Sequence, residues 1–459
     1  EPSQDLLNQL LGHYQAGRLE DAETLARSLT QKFPKHPFAW KVLGVVLKQM
    51  GRLSESLLPA QKSVALSPDD ADAHSNLGVV LRDLGRLDEA EVSYRQAIAI
   101  RPTFAEAHSN LGNILLALDR SENAEASLRQ AITLKPDLAE AHYNLGDALK
   151  ALNKIDEARE SYQQAISIKP DYAKAHNSLG STLKQIGELD EAEASYKQAI
   201  ALRPDFAEAH NNLGNTLKKL GRLNHAEASY RQAIALNPDY AEARSNLGVT
   251  LKNQGRLGEA QASFAQAIAL KPGYAEAHYN LANTLKALGN LREAEAAYRT
   301  AIALEKDFAA AHSNLGLALH DLGRLDEAEV SFKNAIALND ACAAAHGNLG
   351  NTLHELGRTE EAEASLMQAV ALNPRSPVAF FNLYGLQKNI QSAEYWIDKC
   401  LRSDKNYAKA IMIKAALRFY QGDRAYFDEL MKSDLKQHPY ARSFSWVFKL
   451  PSLPELKFD

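Results

Sequence analysis

Along this chain apolar residues return in steps of three and four. In the stretch 207–240 one set runs through Leu213, Leu217 and Leu220, and a second through Ala226, Tyr230, Ala233 and Ile234. Steps of that size predict two amphipathic helices, each with one apolar stripe. Between the sets lies Gly221, matched by Gly17, Gly51, Gly85, Gly187, Gly255, Gly289, Gly323 and Gly357. A glycine there can take the left-handed conformation that ends the first helix. Asp119 and Asn153 hold that place in two copies, and Asn tolerates the conformation better than Asp. The second helix ends before Pro238, and the spacings Asp205-x-x-Glu208 and Asp239-x-x-Glu242 predict capping boxes at the next helix. Acidic pairs such as Asp88 and Glu89, at second-helix starts, are read as caps as well.

The pattern is periodic. Prolines fall at Pro34, Pro68, Pro102, Pro136, Pro170, Pro204, Pro238 and Pro272, then Lys306 and Asp340 take the place before Pro374 restores it. A 34-residue spacing held that long marks a repeat array. Counted from Ala207, one unit has Leu213 and Gly214 at its seventh and eighth places, Ala226 at the twentieth, Tyr230 at the twenty-fourth and Ala233 at the twenty-seventh. The third copy reads Leu77, Gly78, Ala90, Tyr94 and Ala97 there, and the tenth Leu315, Gly316, Ala328, Phe332 and Ala335. This set resembles the tetratricopeptide repeat, closely over 3–376 and loosely over 377–441. The resemblance implies an all-α fold, a right-handed α-α superhelix of 34-residue helix-turn-helix repeats whose first helices line a concave groove. No unit can bury its apolar face alone, so stability is expected from stacking on neighbours.

The copies are uneven. Residues 1–70 hold two degenerate repeats, with Leu10 in the glycine place and Ser56 in the first alanine place of the second helix. Residues 71–376 hold nine regular repeats, and 377–441 two degenerate ones, the second opening three residues early at DKNYAKA. The last stretch, 442–459, carries Phe444, Trp446, Val447, Phe448, Leu450, Leu453, Leu456 and Phe458. It either caps the last helices or links to a missing domain.

A net charge of −5 is small for 459 residues and argues against nucleic acid or a membrane surface as partner. No window approaches the roughly 18–20 consecutive apolar residues of a membrane span. Two cysteines, Cys342 and Cys400, provide no disulfide framework, and a reducing, cytoplasmic setting is the simple reading.

The candidate binding residues are asparagines on the first helices. The sixth place holds Asn76, Asn110, Asn144, Asn212, Asn246, Asn280, Asn314, Asn348 and Asn382, interrupted by Ser178. Stacked helices lie about 8–10 Å apart and an extended peptide rises about 3.3 Å per residue, so one amide per three peptide residues could meet a ligand backbone. The run HSNLGN resembles the repeats of O-linked N-acetylglucosamine transferases, and that resemblance implies an inner asparagine ladder holding peptide backbone. The ninth place adds Asn113, Asn215, Asn283 and Asn351, with Asp147 in the fifth copy, near the same face. The twelfth place gives Lys150, Lys184, Lys218, Lys252 and Lys286, then His320 and His354, read as a solvated helix end.

Histidines recur at the fourth place: His74, His108, His142, His176, His210, His278, His312 and His346. Residues one repeat apart are too far from each other to share a metal ion, whose donors stand about 2 Å away. They are read as packing residues, in the place Trp40 and Phe380 hold elsewhere. No metal, cofactor or catalytic motif is present. The expectation is a non-enzymatic scaffold for extended peptides or partner proteins. The alternative is the substrate-recruiting arm of a glycosyltransferase or methyltransferase whose catalytic domain follows residue 459, and self-association through end repeats is a third reading.

Overall fold

The computed structural model describes residues 1–387, 389–423 and 425, and these form twenty-five α-helices, from Gln4–Gln15 to Ala408–Tyr420, with no strand among the described residues. They divide between two compact units, Glu1–Pro238 and Asp239–Asp459. Within each unit the regular repeat pairs a first helix of thirteen residues with a second of fourteen, as Ala207–Lys219 does with Leu223–Leu236. Within each unit the second helices also pack on the first helices that follow them.

The turn inside the pair is a helix stop. Gly221 has φ +73°, its amide donates to the Lys218 carbonyl (3.1 Å), and that of Arg222 to Leu217 (2.9 Å). That is the two-bond left-handed stop expected of a glycine just past a helix end. Asp119 and Asn153 take the same conformation, at φ +56° and +59°.

The predicted caps do not form. The first helix starts at Ala207 with Phe206 as N-cap and no side-chain cap bond. Asp205 therefore sits one residue too early, and Glu208 instead accepts from Asn177 (3.0 Å). Tyr240 likewise is the N-cap that follows Asp239, without a side-chain cap bond. Only after Pro68, where Asp69 is followed by Asp70, does an acid reach the cap, accepting from the amides of Asp72 and Ala73. Asp88 and Glu89 lie within the first turn behind an uncapped Arg86, where they face the positive end of the helix dipole. Glu89 pairs with Arg86 at 2.6 Å.

Packing inside a pair centres on the eighth and twenty-fourth places. Tyr230 is fully buried between Ala226 and Ala233, also fully buried. A Cβ on Gly214 would lie 2.7 Å from its ring, and equally tight contacts recur at Gly78, Gly146, Gly180, Gly248 and Gly316. Glycine thus gives the ring its room, inside a helix where it is intrinsically unfavourable; the ninth copy instead carries Ala282 opposite Tyr298, both fully buried.

Ionic rungs join successive repeats. A glutamate on one second helix reaches the cation preceding the next second helix, 29 residues on. Glu91 meets Arg120 (3.0 Å), Glu125 meets Lys154 (2.9 Å), Glu295 meets Arg324 (2.6 Å) and Glu329 meets Arg358 (2.7 Å). Most of these glutamates hold a second cation one turn along their own helix, as Glu91 does Arg95 (2.8 Å). Lys333 and Arg358 hold the Glu329 carboxyl below its usual range. One rung is reversed, with Arg159 in the glutamate place and Glu188 in the cation place, 3.4 Å apart.

Past the regular repeats, Pro377–Gly385 is a nine-residue helix followed by Ile390–Ser403 and Ala408–Tyr420. They share a core of Phe380, Ile397, Cys400 and Ala410. The rest of the helical unit expected to 441, and the apolar stretch 442–459, lie outside the described residues.

Gly214→Ala gains up to ~1 kcal/mol of helix propensity but overpacks the Tyr230 ring, which costs about 1–3 kcal/mol, so thermal unfolding should show a net loss. Gly44→Ala, whose new Cβ would lie 3.3 Å from the Ala60 backbone nitrogen, should cost less than Gly214→Ala. Arg159→Glu sets like charges together and should lower stability by roughly 0.5–1 kcal/mol, the scale of a partly exposed pair. Adding Glu188→Arg should restore most of it in a double-mutant cycle.

Candidate functional site

On the first helix Ala207–Lys219 the buried stripe comprises places three, five, seven, eight, ten and eleven, Ala209, Asn211, Leu213, Gly214, Thr216 and Leu217, and the other regular copies keep most of it. The sixth and ninth places flank that stripe. The sixth-place asparagines are accordingly half-buried, apart from Asn280, at 8% exposure. Where a threonine follows four residues on, its hydroxyl donates to the asparagine's own backbone carbonyl, as Thr216 does to Asn212 (3.0 Å) and Thr352 to Asn348 (2.9 Å). The buried hydroxyl is thus satisfied locally and leaves the amide side chain alone.

The structure separates the nine amides. Asn212 donates to Asn177 of the preceding first helix (3.2 Å). Asn314 donates to the Tyr279 hydroxyl (3.0 Å) and to Asn283 Oδ1 (2.8 Å). Among the described residues, the side chains of Asn76, Asn110, Asn144, Asn348 and Asn382 make no hydrogen bond within the protein and reach solvent. The break at Ser178 has a local cause, since its hydroxyl meets those of Tyr143 and Tyr162.

The ninth place is different, because it faces the aromatic residue fifteen positions later. Tyr230 donates to Asn215 Oδ1 (2.8 Å), Tyr298 to Asn283 Oδ1 (2.6 Å) and Tyr162 to Asp147 Oδ1 (2.6 Å). Where the aromatic is Phe264 or Phe332, the ninth place is Val249 or Leu317, and nothing polar is buried. Asn113 and Asn351 stand opposite Leu128 and Leu366, which offer no hydroxyl; Asn113 is exposed and Asn351 half-buried. Tyr94 meets Val79 there, and its hydroxyl is buried without a partner. The pairing of Tyr with Asn or Asp and of Phe with Val or Leu is visible in the sequence, and it is the signal that a reading confined to single helices passes over.

Asp147 is the one carboxylate among these inner positions. Burial raises its pKa, opposed by hydrogen bonds from Tyr162 and Tyr143. Tyr143 is itself pushed up to about 12, first by burial and then by the Asp147 charge.

The fourth-place histidines close the turn between repeats. His74 Nε2 lies 2.9 Å from the Pro68 carbonyl, and His108, His142, His176, His210 and His278 repeat the contact at 3.0–3.1 Å. A carbonyl only accepts, so the ring carries its proton on Nε2. Trp40 donates to Pro34 in the same way (2.9 Å). These rings are structural clips, and among the described residues no three His, Cys, Asp or Glu side chains converge on a metal position. The twelfth-place row is partly engaged within the protein. Lys150 donates to Ser181 (2.9 Å), Lys286 lies 3.8 Å from Asp321, and burial lowers the pKa of Lys252. No described helix is long and apolar enough to cross a membrane.

Models of the tetratricopeptide repeat match residues 7–71, 60–92, 80–119, 112–153 and 319–384. Residues 137–347 match the model described as the C-terminal domain of cilia and flagella-associated protein 70. No curated protein matches the sequence. Among solved structures, the chain is similar to the APC/C hetero-tetramer Cut9-Hcn1, at 14% identity and a TM-score of 0.48, over 89% of this chain and 95% of that one. It is also similar to PilF of Pseudomonas aeruginosa (24% identity, TM-score 0.41, 44% of this chain and 92% of that). A third is YrrB, described as having an unusual peptide-binding site (26%, TM-score 0.36, 43% and 97%).

The ionisation of Asp147 has a measurable consequence. Its raised pKa means that folding disfavours the charged carboxylate, so the stabilising form is the protonated one, present below the unfolded value of about 3.9 and lost as pH rises through the folded value. Asp147→Asn, which copies Asn215 and Asn283, should therefore raise the unfolding temperature at pH 7. The gain should vanish below about pH 3.9 in a thermal series against pH.

Proposed function

Because the chain is a tetratricopeptide-repeat protein, we propose that it is a non-enzymatic protein-interaction scaffold that holds an extended peptide or a segment of a partner along its first-helix face. The observation that carries this reading is the set of half-buried amides at Asn76, Asn110, Asn144, Asn348 and Asn382, which the protein does not use for its own hydrogen bonding. They recur on alternate helices, at places fixed by rigid packing on either side. An amide offers both a donor and an acceptor and so matches a peptide unit whatever side chain that unit bears. Affinity then comes as a sum of small terms, each about 0.5–1.5 kcal/mol.

Asn212 and Asn314 join the surface in this reading but spend a donor on their neighbours. The ninth-place residues serve it indirectly: Asn215 and Asn283 fix the tyrosines beneath the face, and Asn113 and Asn351 remain as possible contacts. The first unit, with three consecutive unengaged amides, is the stronger candidate surface.

Selection of a random 15-residue peptide library on the full chain supplies the probe. The triple variant Asn76→Ala, Asn110→Ala, Asn144→Ala should retain its helical circular dichroism and weaken the selected peptides at least tenfold. Asn215→Ala should lower the unfolding temperature with little change in peptide affinity. Unchanged peptide binding in the triple variant would sink the amide surface.

A further inference from the structure

The fifth and ninth copies are built alike at three inner places. Each sets a tyrosine at place five, Tyr143 or Tyr279, beside the buried tyrosine at place twenty-four, Tyr162 or Tyr298, with ring centroids 5.9 and 6.1 Å apart. In each, the buried phenol donates to the ninth place at 2.6 Å. In the ninth copy that acceptor is Asn283, and the sixth place of the following repeat closes over it. Asn314 donates to Asn283 Oδ1 (2.8 Å) and to the Tyr279 hydroxyl (3.0 Å). The acceptor is thereby shared between two donors of the protein's own.

The fifth copy differs at both of those residues. The acceptor is Asp147, and the residue that would close over it is Ser178, the one interruption of the asparagine series. The first difference adds a charge, and the second removes the amide that would have reached it. The Ser178 hydroxyl is occupied with the phenols of Tyr143 and Tyr162. Tyr162 is fully buried beneath, but Tyr143, Asp147 and Ser178 are only half-buried, so the recess opens to solvent. Asn144, one of the unengaged amides, stands one turn earlier on the same helix face.

The charge in this recess has no ion pair. Lys150 and Lys174 are the cations whose field reaches Asp147. The Lys150 ammonium donates instead to Ser181 (2.9 Å), and Lys174 is exposed. Glu208, which accepts from Asn177 (3.0 Å), adds a second negative charge close enough to act on Tyr143. A partly buried carboxylate without a counter-ion is costly. Packing does not call for it, since Asn215 and Asn283 accept from their tyrosines without a charge.

We propose that Asp147 and the gap left at Ser178 form a subsite for one basic side chain, lysine or arginine, of a bound peptide. The cation takes the place that the Asn314 amide holds in the ninth copy and donates to the carboxylate. A row of amides accepts any peptide unit and so fixes no register, whereas a single charged point does. The inference rests on the peptide-scaffold reading for the source of the side chain, but the subsite is testable apart from it.

The direct test titrates the full chain at pH 8 with n-butylammonium and, as the uncharged control, n-butanol, at equal ionic strength, followed by saturation-transfer NMR. Wild-type protein should bind the ammonium saturably and about fivefold more tightly than the alcohol, the scale of a partly exposed ion pair. Asp147→Asn should abolish that preference. Ser178→Asn rebuilds the Asn314 arrangement while keeping the carboxylate, and should weaken the preference by about twofold or more. Both variants copy residues that other folded repeats already carry, and unchanged circular dichroism checks that they fold. No preference in wild type, or one unchanged in either variant, overturns the subsite. Random peptides selected on wild type should be enriched in a lysine or arginine, and those selected on Asp147→Asn should not; selection without that difference overturns the role in peptide choice. If no peptide is selected on either chain, the scaffold reading fails, and the ammonium titration still decides the subsite.

Discussion

Most regular repeats are built on a ring pressed against a helix backbone that has no side chain at that point; Leu128 and Leu366 replace the ring in two copies, and Ala282 replaces the glycine in one. With Tyr230 at zero exposure and its ring under 3 Å from where a Gly214 Cβ would stand, the separation of the paired helices is set by one flat side chain. Alanines on either side, Ala226 and Ala233, let the pair close around it. The cost of an interior glycine, about 1 kcal/mol, is offset by burial of a large aromatic surface. The same contact governs chemistry at the ninth place, where Asp147, Asn215 and Asn283 each accept from the phenol.

Stacking is a separate problem, since each pair touches only its neighbours. The apolar pattern recurs from copy to copy and so cannot specify register, but charge can. The glutamate that reaches 29 residues forward is held between two cations at most interfaces, and its partial burial reduces solvent screening. The reversal at Arg159 and Glu188 keeps the attraction while making that interface unlike the rest. A repeat slipped by one unit would bring like charges together there.

The proposed binding face is what remains after these requirements are met. Places three, five, seven, eight, ten and eleven are mostly taken by the pair, the fourth in most copies by the clip to the proline carbonyl, and the ninth by the phenol of Tyr162, Tyr230 or Tyr298 in three copies. The sixth is the inner place that packing leaves open, and asparagine fills it in nearly every copy. Function in this reading is an excess of hydrogen-bonding capacity along a rigid surface.

The repeat length, the two helices, the glycine stop and the apolar stripes were all legible in the sequence, because each depends on residues within one turn or one period of each other. So was the reading of the histidines as packing residues, though their bond to the proline carbonyl was not. The capping boxes were misjudged by one residue: an aromatic such as Phe206 takes the cap, and spacing alone does not say where a helix begins. Which asparagines are engaged and which are open was decided only by tertiary structure. That depends on what stands opposite on another helix, a tyrosine hydroxyl for Asn283 and a leucine for Asn351. Periodicity specifies the surface of one helix, but the meeting of two surfaces settles which groups are satisfied and which are free.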